Sequence, residues 1–192
     1  MKKQNSKIKH LYGTDDRTLI FDLEANGLYN DVTRIHCLAY YDSDMDEIHS
    51  FNDECPGKGM SSPIVRAIQY LEQAKVIVGH NIIGYDLPVI SKLYPFFSPS
   101  GVIIDTLLLS RLYHPRLMLL DKERNWPHMP LQLYGRHSLE AYGYRLGEYK
   151  GEYGKTTDWK AWSQELEDYC KQDVAVTKKL CDHFRPYLSG LR

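Results

Sequence analysis

The segment Thr18-Leu19-Ile20-Phe21-Asp22-Leu23-Glu24 decides the fold, because this short apolar run places two acidic residues at its end. Its length and its β-branched and aromatic content predict a buried strand. Side chains two positions apart share one face of a strand, so Asp22 and Glu24 project together, opposite to Leu19, Phe21 and Leu23. Two carboxylates this close are unfavourable unless a cation neutralises them or one takes up a proton. The pair predicts a cation site, although a solvated strand end is the alternative for this motif in isolation.

The second acidic motif contains Asp86. It follows His80-Asn81-Ile82-Ile83-Gly84-Tyr85 and precedes Pro88, at the start of a helix predicted over Tyr85–Leu93. Asp is a favoured N-cap residue, so a purely structural capping role is an alternative to metal binding. His80 and Asn81 leave the end of a strand, where ligand contacts gather in sheets of this class.

The third acidic motif is Tyr169-x-x-x-Asp173. Both residues lie at helical spacing on the apolar face of a long helix predicted from about Trp159 to Phe184. Burying an ionised carboxylate without a partner is very unfavourable, so Asp173 is expected to meet a cation, with the Tyr169 phenol reaching the same place. The apolar neighbours that define this face are Leu166, Val176 and Leu180.

Strands and helices alternate along the remaining chain, which predicts an α/β architecture with a mixed sheet. A long loop is predicted from His114 to Arg136, where three prolines and several charges interrupt the pattern. Ser138 is expected to cap a helix that ends near Gly147. The other predicted strands are Ile35–Tyr41, Glu47–Phe51, Val76–Gly79 and Gly101–Asp105, and the other predicted helices are one that starts at Ser62-Pro63 and one over Thr106–Tyr113.

Composition limits the classes of protein that this chain can represent. With 192 residues and 43% hydrophobic content, it predicts one domain over 17–192, preceded by a flexible basic tail over 1–16. The 24 Lys and Arg residues balance 25 Asp and Glu residues, so net charge does not indicate a partner. The four cysteines show no C-x-x-C spacing, which argues against a zinc site. No signal peptide or membrane anchor is expected, so the predicted location is the cytoplasm.

The order of these motifs resembles one nuclease family. The D-x-E at Asp22-Leu23-Glu24, the H-N-x-x-x-Y-D at His80–Asp86 and the late Y-x-x-x-D resemble the DEDDy 3′–5′ exonucleases, the proofreading domains of polymerase I family enzymes. The segments Asp105–Leu112 and His137–Gly147, together with Lys150-Gly151-Glu152-Tyr153, are similar to the exonuclease domains of phage replicative polymerases. The resemblance implies a ribonuclease H-like fold, with a central mixed β-sheet flanked by helices.

The resemblance also implies roles for individual residues. Asp22 would bridge two Mg²⁺ or Mn²⁺ ions, Glu24 and Asp173 would complete the shell of the first ion, and Asp86 would hold the second mainly through water. Tyr169, with Glu24, would orient the attacking water. Leu28 would wedge against the terminal bases, and His80 and Asn81 would contact the last nucleotide.

The expected activity is removal of nucleoside 5′-monophosphates from the 3′ end of single-stranded DNA. A separately encoded phage polymerase is a candidate partner, in which case the location would be the host cytoplasm, and no membrane partner is expected. Two alternatives remain open: a 3′–5′ exoribonuclease of the RNase D-like type, and a module that binds nucleic acid or a polymerase without cutting. Basic residues between 111 and 145 are candidates for phosphate contacts. They are Arg111, Arg116, Lys122, Arg124, Arg136 and Arg145.

Overall fold

A computed structural model describes residues 17–54, 62–148 and 160–190. Five strands form one mixed sheet in the order β3-β2-β1-β4-β5. β1, β2 and β3 make an antiparallel meander, whereas β4 and β5 run parallel to β1. The predicted α/β class and mixed sheet are confirmed. The strands are β1 Thr18–Ala25, β2 Ile35–Asp42, β3 Glu47–Asn52, β4 Val76–Gly79 and β5 Val102–Asp105.

The described part of the chain also contains six α-helices. Ser62, Ser138 and Ser163 cap three of them, each accepting a backbone hydrogen bond three residues later. The predicted cap at Ser138 is confirmed, and its helix ends at Gly147, whose φ of 66° suits glycine. The helices are α1 Pro63–Gln73, α2 Asp86–Leu93, α3 Thr106–Tyr113, α4 Leu117–Arg124, α5 Leu139–Leu146 and α6 Gln164–Leu188.

The alternation of β1 separates two apolar layers. Leu19, Phe21 and Leu23 pack against α1 and α2 on one face of the sheet. Ile20 points to the other face, where α6 covers the sheet with Leu166, Cys170 and Val174. Since Asp22 and Glu24 share the phase of Ile20, their side chains emerge on the α6 face, as the strand periodicity predicts.

Two sequence-based expectations are wrong in part. The predicted loop from His114 to Arg136 contains helix α4 and a 3₁₀ turn over Leu131–Leu133. Only Leu117 and Asp121 of α4 are buried, and leucines lie on its outward face. The sequence of α4 therefore lacks the amphipathic pattern by which a surface helix is predicted. The last helix starts at Gln164, after its Ser163 cap, and continues to Leu188. The predicted tail over 1–16 and the segment Lys150–Tyr153 lie outside the described residues.

Candidate metal centre and nucleic-acid groove

The candidate metal centre starts from the carboxyl end of β1. Asp22 and Glu24 are half-buried on the α6 face of this central strand. The Cys170 thiol of α6 donates a hydrogen bond to the Asp22 carbonyl oxygen over 3.4 Å. This contact joins the backbone at Asp22 directly to the helix that supplies the third acid.

Asp173 comes to the same place from one turn further along α6. Asp173 is buried on the same helix face as the buried apolar residues Leu166, Val176 and Leu180, as predicted. Each of Asp22, Glu24 and Asp173 offers a carboxylate oxygen within 4.8 Å of the other two. Three acids separated by most of the chain therefore form one compact set of oxygen donors, the chemistry that hard divalent cations require.

Asp86 lies beside this cluster but is not one of its three members. It is the first residue of α2, and the N-cap position belongs to Tyr85, so Asp86 is not the N-cap residue of this helix. Burial is the main cause that raises the pKa of the Asp86 carboxyl to about 7. Hydrogen bonds from the N–H groups of Asp86 and Leu23 act against it, and the nearby carboxylates of Asp105 and Asp173 act with it. Because Leu23 separates Asp22 from Glu24, the bond to its N–H joins Asp86 to the acidic end of β1.

Tyr169 is half-buried on α6, one turn before Asp173. Residues four apart lie on the same side of a helix, so its phenol and the Asp173 carboxylate are directed to the same region. The predicted pairing of a phenol with the buried acid is therefore consistent with the backbone geometry of α6.

An open groove of about 500 Å³ lies beyond the carboxyl ends of β4 and β5. His80, Asn81, Arg111 and Arg136, four residues predicted to bind substrate, all line it. Two exposed guanidinium groups give the groove a positive charge. The structure thus unites residues from three separate segments of the chain into one surface.

The fifth predicted substrate contact, Leu28, is not among the residues that line this groove. It lies three residues after β1 and is 76% exposed. Its loop is ordered by the Asn26 side chain, which accepts hydrogen bonds from the N–H groups of Thr33 and Arg34. An exposed apolar side chain on a braced loop is suited to contact a base.

His137 forms part of the groove wall, and a buried polar chain supports it. Its Nδ1 lies 2.6 Å from the Ser110 hydroxyl, which in turn lies 2.6 Å from the Tyr142 hydroxyl. Burial lowers the pKa of His137, and the positive charges of Arg145 and Arg111 lower it further. His137 therefore favours its neutral form, and the positive charge of the groove comes from arginine.

Asp105 organises the rim of the groove, a role that we did not predict from the sequence. Its carboxylate accepts hydrogen bonds from the N–H groups of Asn81, Ile83 and Leu107. It thereby caps α3 and holds the turn after β4, where Asn81 has a φ of 64°. Next to it, the Thr106 hydroxyl donates to the Gly79 carbonyl and lies 2.9 Å from Nδ1 of His80. An acid directly after an apolar strand and before a helix was the available signal.

Arg145, which the sequence suggested as a phosphate contact, has a structural role instead. It forms a buried two-bond ion pair with Asp121, at 2.9 and 2.7 Å. Asp121 also accepts from the Trp126 indole and the Gly135 N–H, while Arg145 donates to the Arg136 carbonyl. The pair therefore fixes α4 and the Gly135–Arg136 turn against α5, and so positions Arg136 on the groove.

Comparison with known proteins agrees with this geometry. A family profile described as RNase_H superfamily matches residues 19–185. The chain belongs to the RNase H superfamily. Among curated relatives, the DNA-directed DNA polymerases of Enterobacteria phage T3 and Escherichia phage T7 are 35% and 34% identical, each over 85% of this chain. This confirms the resemblance to phage replicative polymerases, although the chain spans only about a quarter (26%) of the length of each relative.

A solved structure of low sequence similarity has a similar fold. Brucella melitensis NrnC with bound Mg²⁺ superposes with a TM-score of 0.55 at 18% identity, covering 95% of this chain and 87% of NrnC. At this identity the likeness concerns the fold alone. Among the described residues, no helix has the length and apolar character needed to cross a lipid bilayer.

Proposed function

We propose that this protein is a metal-dependent 3′–5′ exonuclease that removes nucleoside 5′-monophosphates from single-stranded DNA. One observation carries the proposal: the carboxylates of Asp22, Glu24 and Asp173 converge within 4.8 Å. Superfamily membership and the groove that carries Arg111 and Arg136 support it. A purely binding role offers no reason to hold repelling carboxylates together.

The donor set is suited to two Mg²⁺ or Mn²⁺ ions. Asp22, Glu24 and Asp173 supply only oxygen ligands, which these hard cations prefer. Asp22 would be shared by both ions, Glu24 and Asp173 would hold the first, and Asp86 would hold the second mainly through water. The raised pKa of Asp86 supports this assignment, because its carboxylate needs a proton or a cation to be stable where it lies.

The chemistry is hydrolysis of a phosphodiester by water. Two divalent cations held by these residues would lower the pKa of water and stabilise the leaving oxygen. Tyr169, together with Glu24, orients the water whose oxygen forms the new bond to phosphorus. The bond from phosphorus to the 3′ oxygen breaks, that oxygen takes up a proton, and the terminal nucleotide leaves as a 5′-monophosphate.

The groove explains selection of an unpaired end. Arg111 and Arg136 bind backbone phosphates, His80 and Asn81 contact the last nucleotide, and the exposed Leu28 presses against a terminal base. We take DNA as the substrate and a DNA polymerase as a partner because both curated relatives are DNA polymerases.

Incubation with 5′-labelled single-stranded DNA and either Mg²⁺ or Mn²⁺ tests this function. A 3′–5′ exonuclease shortens the labelled strand one nucleotide at a time, whereas the opposite polarity releases the label at once. We expect Asp173→Asn to reduce the rate by more than about 100-fold, beyond the usual effect of a residue that only supports a ligand. Asp168→Asn, the same change on the exposed side of the same helix, is the matched control.

An RNA oligonucleotide of matched sequence tests which sugar the enzyme accepts, because the backbones of RNA and DNA differ only in the 2′-hydroxyl. Faster cleavage of RNA would replace the DNA assignment with an exoribonuclease. Intact DNA and RNA with either metal would contradict the proposed function as a whole.

A further inference from the structure

A second surface continues from the groove along helix α4. Leu117 and Asp121 face inward, so the remaining side chains of α4 point outward. Met118 packs beneath Gly135, a groove residue, so closely that a Cβ added at Gly135 would lie 2.9 Å from the Cβ of Met118. Lys122, four residues after Met118, lies on the same side of the helix. We call this surface the α4 wall and define it as Arg116, Met118, Leu119 and Lys122.

The α4 wall is positively charged although the whole chain is not. Residues 107–138 contain five Lys and Arg residues and two Asp and Glu residues, against a net charge of −1 for the chain. One of those acids, Asp121, is buried and already neutralised by Arg145. Within the described ranges, the salt bridges found include neither Arg116 nor Lys122. Both cations are exposed and available to an anionic partner.

Apolar side chains accompany these cations. Met118 and Leu119 are 44% and 53% exposed. A mixture of cationic and apolar groups suits a single strand, which offers phosphates together with unstacked base faces. A duplex offers the phosphates but keeps its base faces stacked inside.

We propose that the α4 wall binds the strand on the 5′ side of the nucleotides in the groove, through Arg116 and Lys122 on phosphates. This rests on the proposed function and extends it to the length of strand that the protein recognises. The wall follows directly from Arg111, which lines the groove near the end of α3. A strand leaving the groove past Arg111 and Gly135 reaches α4 next.

The test compares a long single-stranded oligonucleotide with an unphosphorylated dinucleotide, whose single phosphate is the one that is cleaved and which therefore offers none to the wall. In the variant Arg116→Gln/Lys122→Gln, we expect KM for the long substrate to rise about 10-fold at low salt, with kcat unchanged. The slope of log KM against log salt should fall by about 1.4, or about 0.7 for each lost phosphate contact on a single strand. Turnover of the dinucleotide should not change.

The matched control is Arg66→Gln/Lys75→Gln. This pair removes the same charge from exposed positions on α1 and in the turn before β4, away from the groove. An unchanged KM and salt slope in the α4 variant, or an effect equal to that of the control, would overturn the proposal. An equal loss on the dinucleotide would also overturn it, by assigning both residues to the groove.

Binding without catalysis separates this proposal from the proposed function. Fluorescence anisotropy in a metal chelator measures the Kd of the labelled long oligonucleotide even if the protein hydrolyses nothing. We expect the α4 variant to bind the single strand about 10-fold more weakly than the control does, with a smaller salt slope. Equal affinities of the α4 variant and the control would contradict binding at the α4 wall. Absence of hydrolysis by the unmodified protein would contradict only the exonuclease assignment. A duplex bound as tightly as the single strand would contradict the single-strand preference.

Discussion

The Tyr85 hydroxyl donates a hydrogen bond of 2.6 Å to the Gly27 carbonyl oxygen. Tyr85 is the residue before Asp86, and Gly27 is the residue before Leu28. Burial raises the pKa of the Tyr85 phenol, and the charges of Asp86, Glu24 and Asp22 raise it further, so the phenol keeps the proton that it donates. One hydrogen bond therefore joins the start of α2 to the loop that we expect to contact the terminal base.

Tyr85→Phe removes this bond and leaves the ring in place. We expect a loss of stability of about 1 kcal/mol and a several-fold rise in KM for single-stranded ends, because the Leu28 loop loses its attachment to α2. Steady-state kinetics on frayed and fully paired ends should show a smaller preference for the frayed end. The exposed Tyr70→Phe is the control; a Tyr85→Phe variant that discriminates between ends as well as this control would exclude the positioning role.

Asp86 should make the stability of the metal-free protein depend on pH. Its pKa lies near 7 in the fold and near the ordinary 3.8 in the unfolded chain, so the folded state binds the proton more tightly. The free energy of unfolding therefore falls as pH rises from about 4 to about 7, by a few kcal/mol. Urea denaturation in a chelator at pH 5 and pH 8 measures this difference.

Asp86→Asn should remove that part of the pH dependence and be more stable than the unmodified protein at pH 8 in chelator. The comparison isolates Asp86 because other titrating groups are the same in both proteins. Parallel stability curves for the two proteins across this pH range would show that Asp86 does not carry the effect.

The buried pair of Asp121 and Arg145 should matter more for stability than exposed pairs do. Removing one partner leaves the other charge buried, so Asp121→Asn should cost about 3 kcal/mol. The exposed pair of Asp168 and Lys171 provides the control, and Asp168→Asn should cost less than about 1 kcal/mol. Chemical denaturation of both variants checks the difference.

The same pair also predicts an acid sensitivity. Burial alone would raise the pKa of Asp121, but hydrogen bonds from Arg145, Gly135 and Trp126 outweigh it and lower the pKa. Its stabilisation is therefore present above the ordinary pKa and is lost as pH falls below about 4. Asp121→Asn should lack this loss, and a full acid transition in that variant would contradict the assignment.

Tyr169→Phe should separate catalysis from metal binding. The hydroxyl is assigned to the water and not to a cation, so we expect a rate loss on the order of 100-fold with almost unchanged Mn²⁺ affinity. Calorimetric titration of Mn²⁺ and single-turnover hydrolysis give the two quantities. A large loss of Mn²⁺ affinity in this variant, of the size seen in Asp22→Ala, would make Tyr169 a ligand instead.

The acids could be recognised from the sequence because each is a charged residue within an otherwise apolar pattern. Asp22 and Glu24 end an apolar strand, and Asp173 interrupts the apolar face of α6. Local periodicity is enough to identify such positions, and the order of the motifs then indicated the family. The sheet and most helices were predictable for the same reason, because each buries a regular apolar face.

The features that were not predicted from the sequence depend on contacts between distant segments. Helix α4 is stabilised by Asp121, whose partner Arg145 lies 24 residues away, and its exposed leucines give no inward stripe. From the sequence alone, Arg145 is expected to be an exposed cation, because its pairing with Asp121 is not evident there. The hydrogen bonds of Asp105 to the turn after β4 likewise join segments that are distant in the sequence, so local patterns do not predict them.

The thiol contact between Cys170 and Asp22 spans 148 positions along the chain. The first and last acids of the cluster are thus neighbours only once α6 has been synthesised and docked on the sheet. A nascent chain still in the ribosome has the β1 acids but no complete set of ligands. The proposed cleavage of nucleic acid therefore requires α6 to be docked on the sheet, so activity and tertiary structure should be lost together.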